Sequence, residues 1–336
     1  MLRVLLAVAE EGAAAHLDVL LPAMSAACNE AGDEVFTDMV YGSAQLLGHF
    51  VPPDALLAAL LPRARGQLEG MDTAQHRGSA LTLLAAVVNG MRPVQLGAHL
   101  TAVAAALCDG GLRRAVDGGL RAQLLSCTLE VVDAAAGEDA EAEEEEDGTA
   151  TAAAAAATAA VGEGNVLVGR PQAVRLLMWA LLQLAGSAPA GSEAQVQALQ
   201  GLATLARAAA AGSGGQSSSH ALCARHLPHL LRRVLPTSDG DGAVEAAAEA
   251  AADKTAVAAA GGDAAAAAAD AASVDALFAG SPPPAYPWAA DSAATAVWGA
   301  IVRFGGPGAG ACAARLVAPF LAHASSEKLP PQVLTY

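Results

Sequence analysis

Leu17-Asp18-Val19-Leu20-Leu21-Pro22 and, 40 residues on, Leu57-Ala58-Ala59-Leu60-Leu61-Pro62 end in the same way, an apolar run closed by proline. Related copies stand at Leu227-Pro228 and Ala318-Pro319, and the 166 residues from Pro62 to Pro228 are close to four such intervals. A proline costs a helix little in its first turn, where its missing N–H had no partner, and about 3 kcal/mol deeper inside. The position therefore marks where a helix starts or bends. A recurrence of about 40 residues is the period of stacked helical hairpins, none of which buries its apolar face alone.

Outward from these copies the chain reads as hairpins. Leu2 to Val8, a break at Gly12, and His16 to Cys28 form the first, with Leu17, Leu20, Leu21, Met24 and Cys28 at helical spacing. Asp33 is placed to cap a helix carrying Phe36, Val40, Leu47 and Phe50, and Pro52-Pro53-Asp54 restarts the chain into Leu56 to Leu68. Asp72 with Gln75 resembles a capping box opening Ala74 to Asn89. Pro93 then opens a helix through Leu107 that Gly110-Gly111 closes. Further helices are expected over Leu120 to Val132, from Arg170-Pro171 through Leu184, over Val196 to Ala211 after a boxed start at Ser192 and Gln195, over Leu222 to Leu235, and in a stretch including Ala293, Val297, Trp298, Ile301 and Phe304.

The fold class that follows is all-α, an α-solenoid of HEAT or armadillo-like hairpins interrupted by two disordered inserts. Hairpins occupy residues 1–136; an acidic and poly-alanine insert occupies 137–165; hairpins resume over 166–236; an Ala, Gly and Asp-rich insert occupies 237–273. Residues 274–336 read as a hairpin at the end of a truncated array, because Pro330 to Tyr336 supplies no polar capping helix. The inserts lack large apolar side chains, and like charges in the first repel one another.

Charge and composition exclude several functions. The formal charge of −16 opposes non-specific nucleic-acid binding, which needs cations to displace phosphate counterions. Eight acids lie between Glu138 and Asp147, and without them the charge is −8. No segment reaches the roughly 20 apolar residues that span a bilayer. The N-terminal apolar stretch, broken by Glu10 and Glu11, is too short for a secretory leader. Cys28, Cys108, Cys127, Cys223 and Cys312 are odd in number and widely spaced, as reduced core thiols of a cytoplasmic protein are.

Candidate chemistry is sparse. His220, Cys223, His226 and His229 are potential ligands at intervals of three, a spacing that drifts around a helix by about 60° per step, so they converge on a metal only if Pro228 breaks the helix. No metal or cofactor is expected. Gly306 to Gly310 lacks the lysine of a phosphate loop, and neither a Gly-x-Ser-x-Gly elbow nor a His-Glu-x-x-His helix occurs. The chain reads as no enzyme. Trp179 and Trp298 fall on apolar stripes and read as core. Arg63 with Arg65, Arg113 with Arg114, and Arg232 with Arg233 sit near second helices or their turns, where they could read acidic segments of a partner or of the chain's own insert.

Residues 28–108 also resemble a known family. Met39-Val40-Tyr41-Gly42-Ser43-Ala44-Gln45-Leu46-Leu47-Gly48, Phe50-Val51-Pro52-Pro53 and Gly97-Ala98-His99-Leu100 are similar to a Ser-Ala-Gln-Leu-hydrophobic-Gly helix end, a Phe-Val-x-Pro start and a Leu-x-x-His-hydrophobic helix of the HEAT-repeat axonemal dynein assembly factors. The resemblance implies a cytoplasmic scaffold for preassembly of axonemal dynein arms of cilia and flagella, with axonemal dynein chains and chaperones or co-chaperones as protein partners. Alternatives from other classes are a karyopherin-like transport adaptor and a regulatory scaffold subunit of a phosphatase.

Overall fold

The computed structural model describes residues 10–30, 34–68, 73–109, 112, 118–137, 165–211, 218–234 and 293–306. Among them every regular element is helical. A 3-10 turn, Glu10–His16, leads into α1 (Leu17–Glu30), followed by α2 (Glu34–Phe50), α3 (Pro53–Arg65), α4 (Ala74–Gly90), α5 (Pro93–Leu107) and α6 (Gly118–Ala136). Beyond the first insert come α7 (Pro171–Ser187), α8 (Glu193–Ala210), α9 (Ser219–Val234) and α10 (Ala293–Phe304). The fold is the all-α solenoid of hairpins read from the sequence. Leu2 to Val8, Arg113 to Asp117, residues 138–164 and 237–273, and the Ala318-Pro319 copy lie outside the described residues.

The helices fall into two compact units, Met1–Leu181 with Ala211–Ser213, and Leu182–Ala210 with Gly214–Tyr336, a division that falls within α7. In the first unit α4 packs on α2 and α6, while α3 packs on α1 and α5. First helices thus stack on first helices and second helices on second. α4 also meets α1 and α3, so most of its circumference is enclosed, with an unbroken run from Leu83 to Val88 buried. Leu21, Leu47, Leu56, Leu60, Leu81, Leu84, Leu96 and Leu100 form the fully buried centre.

Close approach of α2 and α4 requires two glycines. A Cβ on Gly48 would stand 2.1 Å from the Val87 carbonyl oxygen, and one on Gly90 would stand 1.9 Å from that of Gln45. Each glycine therefore receives the other helix's backbone. Toward the start of α4, a buried hydrogen bond of 2.5 Å joins the Ser25 and Ser79 hydroxyls of α1 and α4, and Ser79 Oγ also lies 3.1 Å from the His76 carbonyl oxygen.

Helix ends explain the hairpin turns. Pro53 opens α3 and Pro93 opens α5, both at the first helical position, where proline's fixed φ suits a helix. α3 ends on Gly66 at φ 67, with Gly66 N–H donating to the Arg63 carbonyl and Gln67 N–H to that of Pro62, the paired bonds of a Schellman motif. The cap of α4 is Thr73 and not Asp72: Thr73 Oγ1 accepts from the His76 N–H at 3.2 Å. For α8, Ser192 Oγ accepts from Gln195 N–H, while the Gln195 side chain takes the Gly191 N–H and donates to the Ala185 carbonyl. Pro22, Pro62 and Pro228 all lie inside helices, in α1, α3 and α9, so the signature opens none of them.

In the second unit α9 packs on α8 and α10, and Gly186 abuts the Ala296 carbonyl, where a Cβ would stand at 2.0 Å. Trp179 and Trp298 are buried, each within its own helix's apolar face.

Candidate partner-binding surface

The two layers of the first unit expose different chemistry. On the second helices the exposed side chains, apart from Pro93 and two acids, are Val19, Ala23 and Ala26 of α1, Ala55 and Ala58 of α3, and Val94, Ala98 and Ala102 of α5. Val94 is 84% and Val19 64% exposed, high values for valines. Acids on this layer, Asp18 and Asp54, are in the first turns of α1 and α3, where the helix dipole favours negative charge. First helices expose Met39 and Ala122 as well, but mostly polar side chains: Asp38, His49, Gln75, Asn89, Gln123, Ser126 and Asp133. His99 of α5, half-buried, stands 3.7 Å from the exposed Asp54 of α3, a surface pair across neighbouring second helices of the kind worth at most about 1 kcal/mol.

At the end of α3 lie Arg63 and Arg65, in the last turn, where the dipole favours cations. They do not act as one group. Arg63 Nη1 donates to the Ala59 carbonyl at 2.8 Å, which fixes its guanidinium back along the helix. The Nε atoms of Arg63 and Arg65 are enclosed without a hydrogen-bond acceptor among the described residues. Glu69 and Asp72 belong to the adjoining stretch outside those residues. The sequence reading missed Arg77: its guanidinium lies over Gly66, with Nε 2.3 Å from where a Cβ would be. A cation in the first turn of α4 opposes the dipole, and that mismatch was the available signal for a tertiary role.

Arg113 and Arg114 come after α5 in the sequence, outside the described residues, and Arg232 and Arg233 lie in the last turn of α9, where their side chains are not described. All three pairs therefore follow or close a second helix. Residues 1–145 match the HEAT-repeat domain of dynein axonemal assembly factor 5. No curated protein and no solved structure matches the chain. The HEAT-repeat match takes in α1 to α6 and with them Arg63, Arg65, Arg113 and Arg114; Arg232 and Arg233 lie beyond it.

The remaining sequence candidates are dispersed. Cys223 and His226 are buried in α9, His220 is exposed beside Gly306, and α9 continues through Pro228 without the break that metal binding would require. Among the described residues no three potential ligands group to hold a metal, and no helix is long and apolar enough to cross a membrane. Cys28, Cys108, Cys127 and Cys223 are free thiols. Burial pushes Cys223 up to about 11 and raises Cys28, while burial and then the nearby Glu130 carboxylate raise Cys127. Cys108 Sγ donates to the Leu176 carbonyl at 3.1 Å.

Proposed function

We propose that the chain is a non-enzymatic, protein-binding scaffold of the cytoplasm that serves preassembly of axonemal dynein arms for cilia and flagella. The match of residues 1–145 to the HEAT-repeat domain of an axonemal dynein assembly factor carries the reading. The exposed Ala and Val of the second helices support it, since small uncharged side chains cost little to desolvate and admit close approach, with Asp18 and Asp54 the acids of this layer at the first turns of α1 and α3. Axonemal dynein chains are the clients, and chaperones or co-chaperones work beside them. Arg63, Arg65, Arg113, Arg114, Arg232 and Arg233 are the partner contacts, reading carboxylates at the ends of second helices.

Removing the protein from a ciliated cell tests the proposal. Axonemes should assemble without their dynein arms while dynein chains fail to leave the cytoplasm as complexes. Normal arms would refute the role, and a defect in nuclear import or in phosphatase targeting would assign the scaffold to a different client. Charge reversal of Arg63 and Arg65 to Glu should weaken client capture severalfold at unchanged helical content.

A further inference from the structure

Tyr41, Asn89 and Glu130 meet on the rim of the first-helix layer. The Asn89 amide donates through Nδ2 to the Tyr41 hydroxyl oxygen at 2.8 Å and to a carboxylate oxygen of Glu130. Tyr41 is on α2, Asn89 on α4 and Glu130 on α6. α2 and α6 are each packed on α4. The phenol of Tyr41 is raised by its own partial burial and then by Glu130, so the two outer members sense each other. Beneath them Cys127 and the backbone of Ala85 seal the α4–α6 contact.

In a helical-repeat array, stability is to a first approximation a sum of single-repeat terms and nearest-neighbour interfaces. Tyr41 and Glu130 stand on helices separated by α4, so an interaction between them lies outside that rule. We propose that Tyr41, Asn89 and Glu130 form a latch coupling the α2–α3 hairpin to α6 across the intervening α4. Asparagine suits the centre because its amide can donate to an acceptor on either side. Aspartate there would remove both donors and set a second negative charge against Glu130. The latch concerns the mechanics of the array and stands independently of which client it serves.

A double-mutant cycle on the whole chain tests it, with Tyr41→Phe and Glu130→Gln read by denaturant unfolding of the first unit. The two changes should be non-additive by about threefold or more in the unfolding equilibrium constant, as members of one network are. Additivity would overturn the latch. Asn89→Asp should destabilise more than Asn89→Ala, and most of that excess should vanish in the Glu130→Gln background. An excess that persists there would trace to the α4 dipole and also count against the latch. Hydrogen exchange supplies a local readout: Glu130→Gln should loosen amides of α2 around Tyr41 as well as those of α6. Loosening confined to α6 and α4 would show nearest-neighbour behaviour and overturn the proposal.

Discussion

Gly48 and Gly90 are where single atoms decide the packing of the first unit, because each faces a carbonyl of the opposite helix closer than any Cβ can stand. Gly48→Ala or Gly90→Ala should therefore cost about 1–3 kcal/mol, the usual penalty of overpacking, with α2 and α4 forced apart. Gly118→Ala is the control: nothing lies within 4 Å of its missing Cβ, so stability should be unchanged or slightly raised in chemical denaturation. The Ser25–Ser79 bond gives a second prediction. Ser25→Ala leaves a buried hydroxyl with one acceptor instead of two contacts and should cost about 1 kcal/mol, and the Ser25→Ala/Ser79→Ala pair should cost less than the sum of the singles. None of these pairs was legible in the chain. Helical spacing says which face is buried, but not that residue 48 meets residue 87 or that 25 meets 79.

Elements were the most legible scale. The helices expected from Ala74, Pro93 and Arg170-Pro171 begin at Ala74, Pro93 and Pro171, because a proline at the first helical position and a boxed start are local signals, whereas the helix expected over Leu56 to Leu68 begins at Pro53 and ends at Arg65. The cap of α4 fell one residue later than expected, since Asp72 and Thr73 are both good caps and only the Thr73 to His76 bond distinguishes them. Prolines read as marking starts or bends open none of α1, α3 and α9 but lie inside them. In α9, Cys223 gives a pH prediction. Its folded pKa of about 11 exceeds the ordinary 9.0, so the folded state holds the proton more tightly and stability falls as pH rises from about 9 to 11. Correspondingly, Cys223 should resist alkylation in the native chain at pH 8 and react after unfolding. The α6–α7 connection yields another expectation. Val166 N–H bonds the Ala135 carbonyl at 2.9 Å, bringing the two ends of the acidic insert together, so replacing residues 138–164 with a short Gly-Ser linker should leave the unfolding midpoint unchanged or higher.

At the scale of the molecule, the 40-residue recurrence of Leu-Leu-Pro was enough to recognise stacked hairpins, because a repeat states its own architecture. The candidate surface was less legible. Pairing the arginines along the chain put Arg63 and Arg65 near a second helix, whose last turn they occupy, yet gave no sign that Arg63 folds back onto α3 or that Arg77 covers its end. Nor could the contrast between an alanine and valine face and a polar one be read before the layers were known, since alanine is abundant throughout. Client identity depends on chemistry displayed by another protein, and the fold constrains only the class of partner. The most direct test is affinity purification of this chain from ciliated-cell cytoplasm, quantified by mass spectrometry against a charge-matched helical-repeat protein. Enrichment of axonemal dynein chains with chaperones, reduced by Arg63→Glu/Arg65→Glu, is the predicted result; enrichment of a small GTPase with nuclear cargo, of a phosphatase, or of nothing above the control would contradict it.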